Sequence, residues 1–302
     1  MSVTVMDTHM RSAYRSIGFA VAASLLPNIS TALPHSVTYA HTEDKKLTTQ
    51  EQQVVDLLNA IETGAAEPVA VVNPDKYTQH NLGIADGLAG FGAALTALPA
   101  GSAKVNTVRV FQDGDYVFAH TDYNFFGPKI GFDIFRFENG KIVEHWDNLQ
   151  ETPTSANPSG NTMIDGPTKP TDQTKTEENK AFVRSFVDDI LVSGRMEKLN
   201  GYFDGDNYIQ HNPQIGNGLS GLGAALEAMA KQGVIMKYDT IHKVLGEGNF
   251  VLAISEGTFA GKPTSFYDLF RVEDGKIAEH WDTIEIIPAI ADWKNQNGKF
   301  GF

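Results

Sequence analysis

The 302-residue sequence has no cysteine, no long apolar run and fewer basic than acidic side chains. The absence of cysteine excludes disulfides, thiolate nucleophiles and cysteine-ligated zinc. Because no stretch of about 18 apolar residues occurs, insertion into a membrane is not expected. The 24 Lys and Arg stand against 37 Asp and Glu, a formal net charge of −13. Such a surface repels phosphate backbones, so nucleic acid is not an expected partner.

The N-terminus has the order of a secretory signal. Arg11 and Arg15 precede an apolar stretch at 17–26, and small residues follow it. We therefore interpret residues 1–44 as a signal peptide or a disordered leader. The expected location is secreted or periplasmic, and otherwise cytoplasmic.

The sequence contains one domain twice. Residues 77–98 (YTQHNLGIADGLAGFGAALTAL) and 208–229 (YIQHNPQIGNGLSGLGAALEAM) are identical at 13 of 22 positions. Residues 132–147 (FDIFRFENGKIVEHWD) and 267–282 (YDLFRVEDGKIAEHWD) are identical at 11 of 16. Two matched blocks in the same order indicate a tandem duplication.

Each copy reads as helices followed by strands. A capping-box pattern at 48–51 opens a helix in the first copy, and its counterpart begins near Thr176. Four β-rich segments follow in each copy, at 104–150 and 237–287. This order predicts an α+β fold with an antiparallel sheet. We expect domain 1 at 45–166, a linker at 167–175 and domain 2 at 176–302.

Two short turns predict which side chains share a face of the sheet. Asn139-Gly140 and Asp274-Gly275 are strong signals for a two-residue hairpin. With strict alternation outward from the turn, Asp133 would face Trp146, and Phe135 would face Glu144. The same rule places Asp268, Phe270, Glu279 and Trp281 on one face in the second copy. His145, Asp147, His280 and Asp282 would then lie on the opposite, outer face.

The predicted face sets carboxyl groups among aromatic rings. Loss of solvation there disfavours the charged form of a carboxyl. Two interpretations stay open for Asp133 and Asp268: a pocket acid, or a structural hydrogen-bonding group that holds the core in register.

These motifs resemble the SnoaL-like proteins of the nuclear transport factor 2 (NTF2)-like superfamily. The resemblance rests on Tyr-x-Gln-His-Asn, a Gly-rich helix and D-[IL]-F-R-x-x-[ND]-G-K-I-x-E-H-W-D, and it covers both repeats. It implies two cone-shaped domains, each a curved sheet wrapped by N-terminal helices around an apolar pocket. Relatives include polyketide cyclases and ketosteroid isomerase.

The resemblance also implies site residues. Asp133 and Asp268 match the acid that ketosteroid isomerase uses in its oxyanion hole, and Trp146 and Trp281 would be its aromatic partners. The isomerase's base carboxylate is absent, because that stretch reads Gln-His-Asn in both copies. Candidate catalytic residues are therefore His80, Asp133, His211 and Asp268, with the alternative that both histidines are structural. Candidate substrate-binding residues are Asn81, Phe135, Glu144, Trp146, Asn212, Phe270, Glu279 and Trp281.

We expect a cofactor-free isomerase or lyase, such as an aldol-type cyclase, that acts on a small apolar carbonyl compound through His and Asp. The alternative is a non-catalytic protein that binds a small apolar ligand. No HExxH or similar spacing occurs, so no metal is expected. A two-fold contact between the duplicated halves would make the chain a monomeric pseudo-dimer.

Overall fold

The computed structural model describes residues 46–99 and 101–302. The leader at 1–44 lies outside the described residues, so the signal peptide and the location stay predictions. Among the described helices, none is long and apolar enough to cross a membrane.

In the first half, helix α1 covers Thr49–Thr63 and helix α2 covers Gly87–Ala97. The predicted capping box is confirmed: the Thr48 hydroxyl accepts from the Glu51 N–H, and the Glu51 carboxylate accepts from the Thr48 N–H. A single 3₁₀ turn, Pro68–Val71, lies between these helices.

The second half repeats this layout with more helix. Helix α3, Thr176–Phe186, continues into a π-helical turn at Val187–Val192. A 3₁₀ turn, Met196–Lys198, follows and leads into the short helix α4, Leu199–Tyr202. Helix α5, Gly218–Lys231, is the counterpart of α2.

Each half contains a five-stranded sheet. The first sheet is built from β1 Thr78–Gln79, β2 Lys104–Asp113, β3 Tyr116–Asn124, β4 Pro128–Glu138 and β5 Lys141–Glu151. The second is built from β6 Ile209–Gln210, β7 Met236–Glu247, β8 Phe250–Phe259, β9 Lys262–Glu273 and β10 Lys276–Ile286. The strand order is β1-β5-β4-β3-β2 in the first sheet and β6-β10-β9-β8-β7 in the second. Strands β1 and β6 pair in parallel with β5 and β10, so both sheets are mixed rather than purely antiparallel. The α+β class is confirmed.

A bulge in the last hairpin changes the predicted faces. Asn139 and Gly140 both have positive φ (51° and 76°), as a type I′ turn requires, and Glu138 pairs with Lys141 as expected. Beyond the pair Phe137–Ile142, the register slips by one residue at Val143. An extra residue reverses the orientation of every later side chain on its strand.

The predicted pairing of Asp133 with Trp146 is therefore wrong. Asp133 pairs with Asp147, and Trp146 pairs with Ile134 on the opposite face. The second hairpin has the same slip at Ala278, so Asp268 pairs with Asp282 and Trp281 pairs with Leu269. His145, Asp147, His280 and Asp282 thus share a face with the acids, not the outer face.

The two tryptophans lie between the two sheets. One hydrophobic cluster joins Trp146, Phe132 and Ile134 of the first half to Trp281 and Leu269 of the second. The Asn148 side chain extends this contact by donating to the Thr283 carbonyl at 2.8 Å. The apolar faces opposite Asp133 and Asp268 therefore bury each other. The predicted domain limits and the monomeric state in solution stay predictions.

Candidate functional site

A cavity of about 350 Å³ lies in the first half, between the helices and the face of the sheet that carries Asp133. Most of its wall is apolar, including Leu57, Ile61, Phe91, Leu95, Phe125 and Phe135. The polar lining residues are Tyr77, Gln79, Asn81, Tyr123, Asp133, His145 and Asp147. The cavity therefore joins an apolar chamber to a cluster of hydrogen-bonding and titratable groups.

The centre of this cluster is a carboxyl–imidazole contact. Asp133 Oδ1 lies 3.2 Å from His145 Nε2, and Asp133 Oδ2 accepts a hydrogen bond from the Tyr123 hydroxyl at 2.8 Å. His145 Nδ1 lies 2.9 Å from Gln79 Oε1. All four residues belong to the first sheet, since the bulge at Val143 turns His145 toward Asp133.

The hydrogen bonds determine where the protons lie. Gln79 Oε1 also accepts from the Asn81 backbone N–H at 2.8 Å, which fixes the orientation of the Gln79 amide. His145 Nδ1 must then donate to that oxygen, and its proton is assigned from this network. One further proton lies between His145 Nε2 and Asp133, either on the ring or on the carboxyl group.

Asp147 completes the cluster. The Asn81 side-chain amide donates to Asp147 Oδ2 at 2.6 Å, while Asp147 Oδ1 is buried and has no hydrogen-bond partner. Lys299 Nζ lies 3.7 Å from Oδ1, too far for a hydrogen bond but within ion-pair range. Asp147 and the Asp133–His145 pair thus line one cavity, and one oxygen of Asp147 lacks a hydrogen-bond partner.

The second half repeats the network. His280 lies 3.0 Å from Asp268 and 3.0 Å from Gln210 Oε1, and Asn212 donates to Asp282 at 2.7 Å. Burial lowers the pKa of His280, but the hydrogen bond to Asp268 and the charges of both carboxylates outweigh it, so the pKa is raised. Burial, with Asp268 nearby, raises the pKa of Asp282 to about 6.

The tyrosine that donates to the aspartate comes from different strands in the two halves. Tyr123 lies on β3, whereas Tyr238, whose hydroxyl is 3.2 Å from both Asp268 oxygens, lies on β7. The residue paired with Tyr123 is Val105, and the residue paired with Tyr238 is Gly257. The two halves thus form the same phenol–carboxyl contact, but each takes its tyrosine from a different strand.

His80 and His211 lie away from the cavity. The His80 ring stacks on Trp146, and its two nitrogens lie 2.7 Å from the Gly298 carbonyl oxygen and 3.0 Å from Glu144. His80 is 2% exposed. These contacts correspond to the structural alternative, because the bulge separates His80 and Trp146 from Asp133.

His211 has the same surroundings. Its ring stacks on Trp281, and its nitrogens lie 2.8 Å from the Thr162 carbonyl oxygen and 2.8 Å from Glu279. The structure therefore does not bring His80 and His211 together with Asp133 and Asp268.

The predicted substrate-binding residues divide in the same way. Asn81 and Phe135 line the cavity. Phe270 packs in the core of the second half against Phe186, and Asn212 holds Asp282. Glu144, Trp146, Glu279 and Trp281 lie on the opposite faces, where the glutamates pair with Arg136 and Arg271.

The spacing of three side chains in each half would allow metal binding. The possible ligand atoms of Asp133, His145 and Asp147 lie within 4.8 Å of one another, as do those of Asp268, His280 and Asp282. In the first half, His145 Nε2 and both Asp133 oxygens already form hydrogen bonds. The buried ammonium group of Lys299 lies within ion-pair range of Asp147. We therefore describe the cluster as a hydrogen-bonded network.

Gln79, Tyr123, His145 and Asp147 were not predicted as site residues. Ile142 and Val143 are consecutive apolar residues that break the alternation after the turn, and Ile277-Ala278 repeat this. That break was the signal for the bulge. The sequence carried no such signal for Tyr123, because its counterpart in the repeat is a glycine.

Comparison with known proteins finds a family-model match in the second half of the chain. Residues 183–280 match the family model of the SnoaL-like domain. The second half is thus similar to a SnoaL-like domain. This confirms the resemblance to the SnoaL/NTF2-like superfamily over these residues. The matched SnoaL-like residues run from helix α3 to strand β10 and include Asp268 and His280.

Three solved structures similar to this chain are TsrD from Streptomyces laurentii, an LEH-like epoxide hydrolase from M. tuberculosis and a SnoaL-like polyketide cyclase from Agrobacterium tumefaciens. TsrD is 22% identical, covering 35% of this chain and 87% of its own, with a TM-score of 0.28. The hydrolase is 22% identical, with coverages of 37% and 85% and a TM-score of 0.29. The cyclase is 12% identical, with coverages of 35% and 91% and a TM-score of 0.29. No curated protein matches the chain.

Proposed function

We propose that the protein is a cofactor-free acid–base enzyme that acts on a small apolar carbonyl compound in the first-half cavity. The observation that supports this most is the position of Asp133, His145 and Asp147 at the wall of an apolar chamber. Titratable groups that share a proton inside a cleft are characteristic of acid–base sites.

The chemistry follows from the proton positions. The Asp147 carboxylate, which lines the cavity and has one oxygen without a hydrogen-bond partner, accepts a proton from the carbon next to the carbonyl group. The electron pair of that C–H bond forms a carbon–carbon double bond, and the carbonyl π electrons move to the oxygen. The substrate is then an enolate with its negative charge on that oxygen. The proton held between His145 and Asp133 stabilises this oxygen by hydrogen bonding or transfer. Isomerisation, dehydration and aldol-type cyclisation all begin with this step.

The apolar wall supports both the abstraction of the proton and the stabilisation of the enolate. It excludes water from the developing charge, and electrostatic interactions are stronger at low dielectric constant. Tyr123 and Gln79 act as positioning residues, because each holds one member of the Asp133–His145 pair by a hydrogen bond. The first half is favoured as the active one because Phe135 lines its cavity, whereas Phe270, the counterpart of Phe135, packs against Phe186 in the second half.

The proposal is tested by proton exchange, which requires no knowledge of the natural product. Cyclohexanone and 2-tetralone are incubated with the protein in D₂O, and loss of the α-proton signals is followed by NMR. The exchange rate with His145→Gln is expected to fall by roughly 100-fold or more. The matched variant His280→Gln is expected to change it by less than about twofold.

Two outcomes would contradict the proposal. Equal rates for His145→Gln and the wild type would remove His145 from the chemistry. Wild-type exchange no faster than buffer for every ketone tried would reject the acid–base activity. Saturation-transfer NMR on the same samples then tests the alternative, a small-ligand-binding protein, which the mainly apolar cavity wall favours.

A further inference from the structure

The C-terminal segment 294–302 of the second half lies against the first-half site. The Lys294 N–H donates to the Leu82 carbonyl at 2.8 Å, and the Asn295 side chain donates to the carbonyls of Asn81 and Ile84 at 2.8 and 2.9 Å. Asn81 and Ile84 both line the cavity. The end of the chain therefore braces the loop that carries Asn81, the hydrogen-bond donor to Asp147.

This segment also brings a buried charge. Lys299 is 4% exposed, and its Nζ lies 2.8 Å from Glu285 and 3.7 Å from Asp147 Oδ1. A buried ammonium group is stable only beside negative charge. Burial lowers the pKa of Lys299, but the attraction of Glu285 and Asp147 outweighs it, so the pKa is raised.

Segment 157–166 forms the same contacts on the second half. Asn161 donates to the Gln210 carbonyl, as Asn297 does to the Gln79 carbonyl. The Thr162 carbonyl contacts the ring of His211, as the Gly298 carbonyl contacts the ring of His80.

The residue that follows each of these carbonyls differs between the halves. In the first-half site it is Lys299, and in the second-half site it is Met163, which is 4% exposed in the core between the sheets. The duplicated sites therefore differ in one buried charge beside the carboxylate.

We propose that Lys299 is a positioning residue of the first-half site, delivered by the opposite end of the chain, and that Met163 leaves the second-half site without this counter-charge. The inference rests on the proposed function, because it assigns the ammonium group to the carboxylate that accepts the proton. It also makes the first-half site depend on the C-terminal segment of the second half.

Several titratable groups surround the Lys299–Asp147 contact. The titratable groups that face Asp147 from the surrounding elements are Tyr77, Tyr123, Asp133, His145, Tyr267 and Lys299. Glu285 contacts Lys299. Lys299 is the only member of this set that comes from the C-terminal segment. Replacing Lys299 removes positive charge without touching the Asp133–His145 pair.

The test compares Lys299→Met, which copies the second-half residue, with Lys299→Arg and the control Lys294→Met. Lys294 lies on the same segment with an exposed side chain, so its replacement changes the net charge equally. The ketone exchange rate of Lys299→Met is expected to fall about tenfold at acidic pH and less at alkaline pH, because a nearby opposite charge favours the ionised carboxylate. Lys299→Arg is expected to retain most of the rate. Identical pH profiles for Lys299→Met and Lys294→Met would overturn the inference.

A second readout does not depend on activity. Urea unfolding of Lys299→Met, Asp147→Asn and the double variant forms a thermodynamic cycle. We expect the two effects on the free energy of unfolding to be non-additive, since the side chains interact; additive effects would overturn the pairing. If the wild type fails to exchange ketone protons while the cycle shows coupling, the proposed function fails and the Lys299–Asp147 contact stands.

Discussion

The buried carboxyl group of Asp282 gives a prediction about stability and pH. Its pKa is raised from 3.8 to about 6 by burial and by Asp268. Between these pH values the folded protein binds more protons at this group than the unfolded chain does, so stability falls as the pH rises. At about 1.4 kcal/mol per pH unit, the contribution lost above pH 6 is about 3 kcal/mol.

Replacing Asp282 with Asn keeps the shape of the side chain and removes the charge. The Asn side-chain oxygen can still accept from Asn212, and its NH₂ takes the place of Oδ1, which has no hydrogen-bond partner. We expect Asp282→Asn to match the wild type near pH 4 and to be more stable at pH 8 by up to about 3 kcal/mol.

The measurement is urea unfolding followed by circular dichroism at pH 4, 6 and 8. The matched variant Asp147→Asn is the control, because it removes the same charge where Lys299 is close by. It is expected to show no gain at pH 8. A stability difference for Asp282→Asn that is the same at all three pH values would refute the reasoning.

Two further predictions concern packing around the sites. The Cβ of Gly131→Ala would lie 2.4 Å from the Tyr123 ring, so we expect Tyr123 to move off Asp133, the free energy of unfolding to fall by about 1–3 kcal/mol and ketone exchange to slow; unchanged exchange would contradict the positioning role of Tyr123. His80→Gln is expected to lower the free energy of unfolding by about 1–3 kcal/mol through lost contacts with Glu144 while exchange continues, and a loss of exchange at full stability would restore His80 as the base.

Much of the fold was accessible from the sequence. The repeated blocks, the capping box at Thr48 and the Asn139-Gly140 turn each depend on local residue chemistry, and the hairpin begins with the predicted pair Glu138–Lys141. The family resemblance was confirmed as well. Such local signals can be recognised without knowing which residues distant in sequence pack together.

The composition of the site was only partly accessible, because it depends on one extra residue in each hairpin. The slip at Val143 moves Trp146 to the contact between the sheets and brings His145 and Asp147 beside Asp133. The consecutive apolar residues Ile142 and Val143 mark a break in the alternation, but packing on both faces of the sheet decides that this break becomes a bulge. The contribution of Lys299 was hidden for another reason: it comes from the far end of the chain, 152 positions after Asp147.

The most direct measurement is the rate of α-proton exchange in 2-tetralone with Asp147→Asn beside its matched variant Asp282→Asn, at a pH where the wild type is fastest. If the carboxylate in the first-half cavity accepts the proton, Asp147→Asn loses roughly 100-fold or more of the rate and Asp282→Asn keeps it. Undiminished exchange by Asp147→Asn, with the variant folded, would contradict the assignment of the chemistry to this cavity.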